Sequence, residues 1–358
     1  MVKVASFIVP LTLAILLGGE LAYAKTSPNQ SNAPNDLEGV QTQQQGLPDK
    51  PVPHASPAPS IHLAEFAKGK GAFLFYSFSA TSPIYWENFS PAAVINQAKE
   101  AGLKYLEIRV GYSNWLQIVP GPQQLWFNQI LDLARTHGIH VIGWVVPFTD
   151  NRSAMTIQSS LNGDWQVAYQ ISHYKTPTGA HVSGLAMDLE LGPLYFGGNT
   201  TALIHYVQGV RSLMGPGYPL ISIVPDPART GLTATLGKSN YYPYNRLTPL
   251  TNVFQPMAYW HEYYTSANFN YSNSYVQTFM QQAVSSTKFQ AGNSKIPVNA
   301  ALQAFGNPTV GYPSVNEVST ALSSANAAGA IGASAFQWHT LTASYWQVLS
   351  QYLWHKGN

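Results

Sequence analysis

From residue 61 onward the chain alternates apolar runs of strand length with longer segments of helical periodicity, and it presents eight such runs. Apolar runs bounded by turn residues suit strands buried on both faces, the condition of a parallel sheet. They fall at 72–78, 103–110, 139–146, 182–190, 219–224, 252–259, 297–304 and 330–337. Helical segments separate them at 91–101, 122–137, 151–174, 200–214, 272–287, 314–328 and 342–354. Ser90 and Pro91 supply a cap and a first-turn proline, and Ser314 with Glu317 three residues on predicts a capping box. A break is expected near Gly163, and an irregular stretch after the fifth strand reaches to about residue 249. Eight strands alternating with helices over ~300 residues match a (β/α)8 TIM barrel, an α/β fold. A doubly wound open sheet would carry a glycine-rich phosphate loop after its first strand, and no such loop stands there.

The residues before the barrel read differently. Lys3, an apolar stretch over 6–19 and Ala22-Tyr23-Ala24 predict a signal peptide over 1–24, cleaved after Ala24 and implying a secreted or periplasmic product. Residues 25–60 are rich in Pro, Gln, Asn and Ser without periodicity, which predicts a disordered linker or leader. The barrel is then expected over 61–358 as one domain. There is no cysteine, so disulfides and lipoprotein attachment are excluded.

Charged residues make up 9% of the chain, against ~25% in ordinary soluble proteins, and the formal net charge is +2. No Lys/Arg run offers a nucleic-acid surface. A surface built from Tyr, Asn, Gln, Ser and Thr suits a sugar ligand, whose hydroxyls and apolar ring faces such residues match. It equally suits an acidic milieu, because few carboxylates must then be protonated. An oligo- or polysaccharide is therefore the expected partner, with neither membrane nor nucleic acid, and the protein is expected to be a monomer without a cofactor.

In a parallel barrel the chemistry sits at the C-terminal ends of the strands. Those ends carry Tyr76 and Phe78; Glu107 and Arg109; Asp150; Asp188 and Glu190; Asp226; Met257, Tyr259, His261 and Glu262; Gln303; and Gln337, Trp338 and His339. Asp188 and Glu190 are two apart on one strand and share a face. Two carboxyls so close resist ionising together, so one keeps its proton near neutral pH, as an acid/base pair for glycosidic cleavage requires. His261 and His339 read as hydrogen-bonding rim residues, since no His/Asp spacing suggests a metal site.

The fourth strand, Ser183-Gly184-Leu185-Ala186-Met187-Asp188-Leu189-Glu190, resembles the D-G-x-D-x-D-x-E motif of the family 18 glycoside hydrolases, the chitinases and endo-N-acetylglucosaminidases. The glycine and the closing D-x-E match, while Ser183 and Ala186 replace the first two aspartates. The sixth strand, Met257-Ala258-Tyr259-Trp260, is similar to that family's M-x-Y-D or M-x-Y-N, with the last residue changed. Trp338 stands where the family places a tryptophan under the sugar ring. The resemblance implies Glu190 as general acid, Asp188 orienting a 2-acetamido group that itself attacks the anomeric carbon, Tyr259 bonding the acetamido oxygen, and Trp338 stacking on the sugar. Tyr76, Glu107, Asp226, Met257, His261, Glu262, Gln303 and Gln337 are the expected substrate contacts. Other readings stay open. A retaining enzyme with a separate nucleophile finds no acid at Gln303-Ala304-Phe305, although Glu262 or Glu107 could stand in. The family 25 muramidases also carry D-x-E on a barrel strand. A catalytically inactive barrel that binds glycans is the non-enzyme alternative.

Overall fold

A computed structural model describes residues 61–77, 80–82, 84–147, 154–192, 195–228, 242–262, 269, 271–306 and 311–354. The expected signal peptide and linker, and the candidates Phe78 and Asp150, lie outside the described residues. Eight parallel strands are β1 Gly69–Leu74, β2 Tyr105–Tyr112, β3 His140–Val146, β4 Gly184–Asp188, β5 Leu220–Pro225, β6 Val253–Ala258, β7 Asn299–Gln303 and β8 Gly332–Phe336. Each pairs with the next in parallel, and β1 pairs with both β2 and β8, so the sheet closes. The helices are α1 Pro91–Glu100, α2 Pro122–Thr136, α3 Ala154–His173, α4 Thr200–Met214, α5 Tyr244–Leu247, α6 Asn273–Gln290, α7 Val315–Ala327 and α8 Ala343–Gln351. One helix follows each strand, which is the (β/α)8 barrel.

Local expectations were met unevenly. Ser314 and Glu317 form the capping box. Ser90 precedes α1 but makes no side-chain cap bond, so the proline alone marks that start. The break expected at Gly163 is absent: α3 runs through it. A single glycine costs about 1 kcal/mol in a helix, an amount that tertiary context overrides. The irregular stretch after β5 contains the one-turn α5, which completes the eightfold pattern. β2 carries an irregularity between Arg109 and Gly111, and its end pairs with a two-residue antiparallel strand at Trp115–Leu116.

The barrel interior is filled in layers. At the bottom, Tyr105 reaches across to Asn299 and Ser334 through its hydroxyl. It needs Gly71 opposite, because a Cβ there would lie 2.0 Å from the Tyr105 ring. A 3-10 segment, Ile61–Ala67, packs on the strand starts. Asn299 Nδ2 donates to its Ala67 carbonyl at 2.8 Å, and Phe66 occupies space that Gly184 leaves open. Among the described residues, Ala67 and Phe66 thus close over the strand starts at this end of the barrel. Among the described residues, no helix is long and apolar enough to cross a membrane.

Candidate active site

A cleft of ≈ 530 Å³, open solvent at its mouth included, lies at the C-terminal ends of the strands. Its walls are aromatic. Phe73 meets Trp144 and Phe336 edge-on, each with ring centroids 5.3 Å apart, and Tyr259 lies 5.5 Å from Phe336. Phe73, Trp144 and Phe336 sit at inward positions of β1, β3 and β8, where strand alternation aims every second side chain into the barrel, and Tyr259 stands one residue past the end of β6. Such a surface suits the apolar face of a sugar ring.

Asp188 and Glu190 line this cleft together. β4 ends at Asp188, but the Leu189 N–H still donates to the Ile223 carbonyl at 2.9 Å, which keeps the chain extended for one residue more. Asp188 is 8% exposed; Glu190 is half-buried. Burial raises the Asp188 pKa, while the neighbouring Trp144 indole N–H and the Arg109 charge pull it back. Burial and then the Asp188 charge push Glu190 well above the usual carboxylate range, against a hydrogen bond from the Tyr195 hydroxyl. Asp188 thus has the groups that favour its anion, and Glu190 has the stronger hold on a proton. Arg109 is itself fixed, with its guanidinium carbon 4.9 Å from the Phe75 ring centroid and one nitrogen donating to the Tyr76 carbonyl at 3.3 Å.

Among the described residues, Trp144 Nε1, Asp188 Oδ1 and Gln337 Oε1 are buried atoms of cleft-lining residues that have no hydrogen-bond partner. The Trp144 indole is near enough to favour the Asp188 anion but falls outside hydrogen-bond geometry. An unpaired buried polar atom costs ~1–3 kcal/mol, so one donor and two acceptors collected here mark a place for a polar ligand.

Of the residues singled out in the sequence, Arg109, Asp188, Glu190, Met257, Tyr259 and Gln337 line the cleft. Seven of the others are held elsewhere. Tyr76 packs edge-on against Trp126 of α2, with ring centroids 5.2 Å apart, on the outer side of the sheet. Glu107 is fully buried among the interior layers. Asp226 is fully buried and accepts the Ala228 N–H at 2.9 Å, closing a turn after β5. His261 is buried and bonded through Nε2 to Glu317 at 2.7 Å. Glu262 follows in the same turn, where its N–H bonds the Tyr259 carbonyl. Gln303 accepts the His261 N–H at 2.7 Å and donates to the Phe305 carbonyl, so its amide ties two loops together. Trp338, expected under a sugar, packs edge-on against Trp346, with ring centroids 4.6 Å apart. The chain leaves the sheet after Phe336, through a cis Phe336–Gln337 peptide, and enters a 3-10 turn over Trp338–Thr340. Strand alternation ends there, and Phe336 is the aromatic that faces the cleft.

Sequence reasoning did not pick out Trp144, Tyr195 or Phe336. Trp144 and Phe336 stand at inward strand positions and could have been found by extending the alternation from Asp188. Tyr195 lies in a loop with no periodicity to follow.

No family model matches the chain, and no curated protein matches it. Solved structures do. A chitinase from Chromobacterium violaceum superposes with a TM-score of 0.54 at 14% identity, covering 80% of this chain and 98% of that one. The glycoside hydrolase domain of PgaB from Bordetella bronchiseptica gives 0.52 at 10% identity, covering 75% and 94%. A chitinase-like agglutinin from Robinia pseudoacacia gives 0.50 at 11% identity, covering 78% and 98%. The likeness is one of fold: this chain has the closed (β/α)8 barrel found in chitinases and other glycoside hydrolases.

Proposed function

We propose that this protein is a secreted glycoside hydrolase that cleaves a glycan containing N-acetylglucosamine, of the chitin or peptidoglycan type, with Glu190 as general acid. The observation that carries the reading is the Asp188–Glu190 pair, two interacting carboxyls at the floor of an aromatic cleft. The asymmetry of their surroundings supports this division of roles. Glu190 holds its proton and gives it to the leaving glycosidic oxygen. Asp188, favoured as the anion by Arg109, holds the N–H of the substrate's acetamido group. The acetamido carbonyl oxygen then attacks the anomeric carbon as the bond to the leaving oxygen breaks. Water opens the cyclic intermediate and passes its proton to the Glu190 carboxylate, which restores the acid. No protein nucleophile is required, as in other substrate-assisted glycosidases. In this reading Tyr259 donates its hydroxyl hydrogen to the acetamido oxygen, and Phe336 supplies the ring face that Trp338 was expected to provide.

The test is hydrolysis of chitin oligomers and of peptidoglycan fragments. Glu190→Gln keeps the shape without the proton, so turnover falls by roughly 100- to 10,000-fold while oligomer binding survives. A variant that keeps the parent's rate removes Glu190 from the mechanism. A second reading, a barrel that binds glycans without cleaving them, is favoured by Ala186, where β4 itself offers no carboxyl beneath Asp188. Binding of oligomers with no hydrolysis of any of them would establish it.

A further inference from the structure

Gln337 lines the cleft just past the end of β8, and the proposed reaction gives it no part. It is fully buried and its backbone is anchored. The Gln337 carbonyl accepts the Thr340 hydroxyl at 2.9 Å, and the same hydroxyl reaches the Ala304 carbonyl at 2.7 Å, which ties this turn to the end of β7. The Ala304 N–H donates in return to the Phe336 carbonyl at 2.8 Å. The side chain is held as well, with Nε2 3.1 Å from His339 Nε2. An amide nitrogen can only donate, so His339 Nε2 accepts and the neutral ring carries its proton on Nδ1. His339 packs edge-on against Phe75, with ring centroids 5.1 Å apart, and burial lowers its pKa to about 4, which leaves the ring neutral near neutral pH.

This contact gives the amide a fixed polarity. Its nitrogen is turned to His339, which is not part of the cleft wall, so the carbonyl arm is the one that meets the cleft. There Oε1 has no hydrogen-bond partner among the described residues. A buried acceptor left unpaired is costly until a donor arrives. Asp188 Oδ1, another unpaired acceptor, takes the acetamido N–H in the proposed reaction. The donor that suits Gln337 is then a hydroxyl, the other hydrogen-bearing group of such a sugar.

We infer that Gln337 is a specificity-determining residue whose carbonyl oxygen accepts a ring hydroxyl of the bound sugar, with His339 as the positioning residue that keeps the amide turned that way. The inference rests on the reading of this cleft as a glycan site and names what the glycan must carry: a neutral ring with a free hydroxyl facing Gln337. An ether or a carboxylate at that point sets an oxygen without a hydrogen against Oε1, and two acceptors repel. Every ring of chitin keeps its hydroxyls. Alternate rings of peptidoglycan carry an acidic ether in place of one, so only its N-acetylglucosamine rings present the full set.

The test reads binding, so it is separate from the question of cleavage. Titration calorimetry is run on the full chain as Glu190→Gln, in which turnover does not consume the sugar. The probes are a chitin trisaccharide and forms of it lacking one kind of ring hydroxyl at a time. Loss of one particular hydroxyl should weaken binding by roughly 10-fold or more, because Oε1 is then buried unpaired. Adding Gln337→Leu should shrink that difference to about 2-fold or less, as a double-mutant cycle between partners requires. Adding His339→Phe, which leaves Gln337 in place but frees its amide to turn, should flatten the preference too. A merely structural role for either residue would lower stability and leave the preference among the sugars in place. An unchanged preference in either variant overturns the inference, and so does a parent that binds none of the probes. Binding with this preference but no hydrolysis by the wild type would sink the glycosidase reading and leave the inference standing. Should the variants not fold, 15N NMR of the histidine rings in the wild type decides. His339 should show a protonated Nδ1 and a bare Nε2, and a proton on Nε2 overturns the inference.

Discussion

Replacing Glu317 by alanine should loosen the loop that carries Tyr259. Glu317 Oε1 accepts the Ser314 N–H at 3.1 Å as part of the capping box of α7. Its Oε2 accepts from Trp260 Nε1 at 2.8 Å and from His261 Nε2 at 2.7 Å. The Glu317 side chain is 10% exposed and that of His261 4%, so water screens the pair little. Glu317→Ala leaves two buried donors without an acceptor, at ~1–3 kcal/mol each. Loss of the box adds roughly another 0.5–1 kcal/mol. The expected destabilisation is about 2.5–7 kcal/mol. With an unfolding entropy of about 2 cal/mol/K per residue over roughly 300 residues, the thermal midpoint should fall by about 4–12 °C. Differential scanning calorimetry near neutral pH reads this directly, and Glu317→Gln, which keeps an acceptor, should lose less than half as much. The pH dependence has a definite sign. Burial alone would raise the Glu317 pKa, but the bonds from His261, Trp260 and Ser314 override it and hold the group below the ordinary glutamate value. The contribution is therefore full above that ordinary value and is lost as pH falls through the depressed one, so wild type and variant should converge in acid. The loop is also held by stacking of His261 on Tyr271, with centroids 3.6 Å apart, and by Gln303. Some of the loss should hence appear as a raised KM through Tyr259. A midpoint shift below about 1 °C at neutral pH would refute the reasoning, since it would mean the two donors find other partners at no cost.

Further outcomes follow from the cleft and from the leader. Asp188→Asn should lower turnover and move the basic limb of the pH–rate profile, set by loss of the Glu190 proton, to lower pH, because it removes a charge that raises the Glu190 pKa. Phe336→Ala should weaken oligomer binding by roughly 1–3 kcal/mol of lost ring contact, whereas Trp338→Ala should leave affinity within a few fold while lowering the thermal midpoint; titration calorimetry on both variants checks the assignment. N-terminal sequencing of exported protein should begin at Lys25, and deletion of residues 25–60 should leave the thermal midpoint unchanged; Met1 on the exported product would reject the cleavage.

The sequence by itself determined the barrel. Eight apolar runs with helices between them have few ways to bury every run on both faces, and a closed parallel sheet is the one whose strand order needs no glycine-rich phosphate loop. It also placed Asp188 and Glu190 together, because alternation along one strand is a local property. The Ser314–Glu317 box was legible for the same reason: three residues of helix fix its geometry. Tertiary structure decided how far along the barrel axis each inward residue sits. Glu107 and Arg109 share a face on β2, yet Arg109 lines the cleft and Glu107 is sealed below it. Depth of that kind depends on the registers of eight strands at once, which no single run encodes. The same limit moved the sugar-facing aromatic from Trp338 to Phe336, since where a strand stops is settled by its neighbours' hydrogen bonds rather than by its own composition. Glu317 shows the division within one side chain. One oxygen serves a cap that its own helix dictates, and the other reaches Trp260 and His261, more than fifty residues away in sequence, because barrel closure brings α7 against the loop after β6.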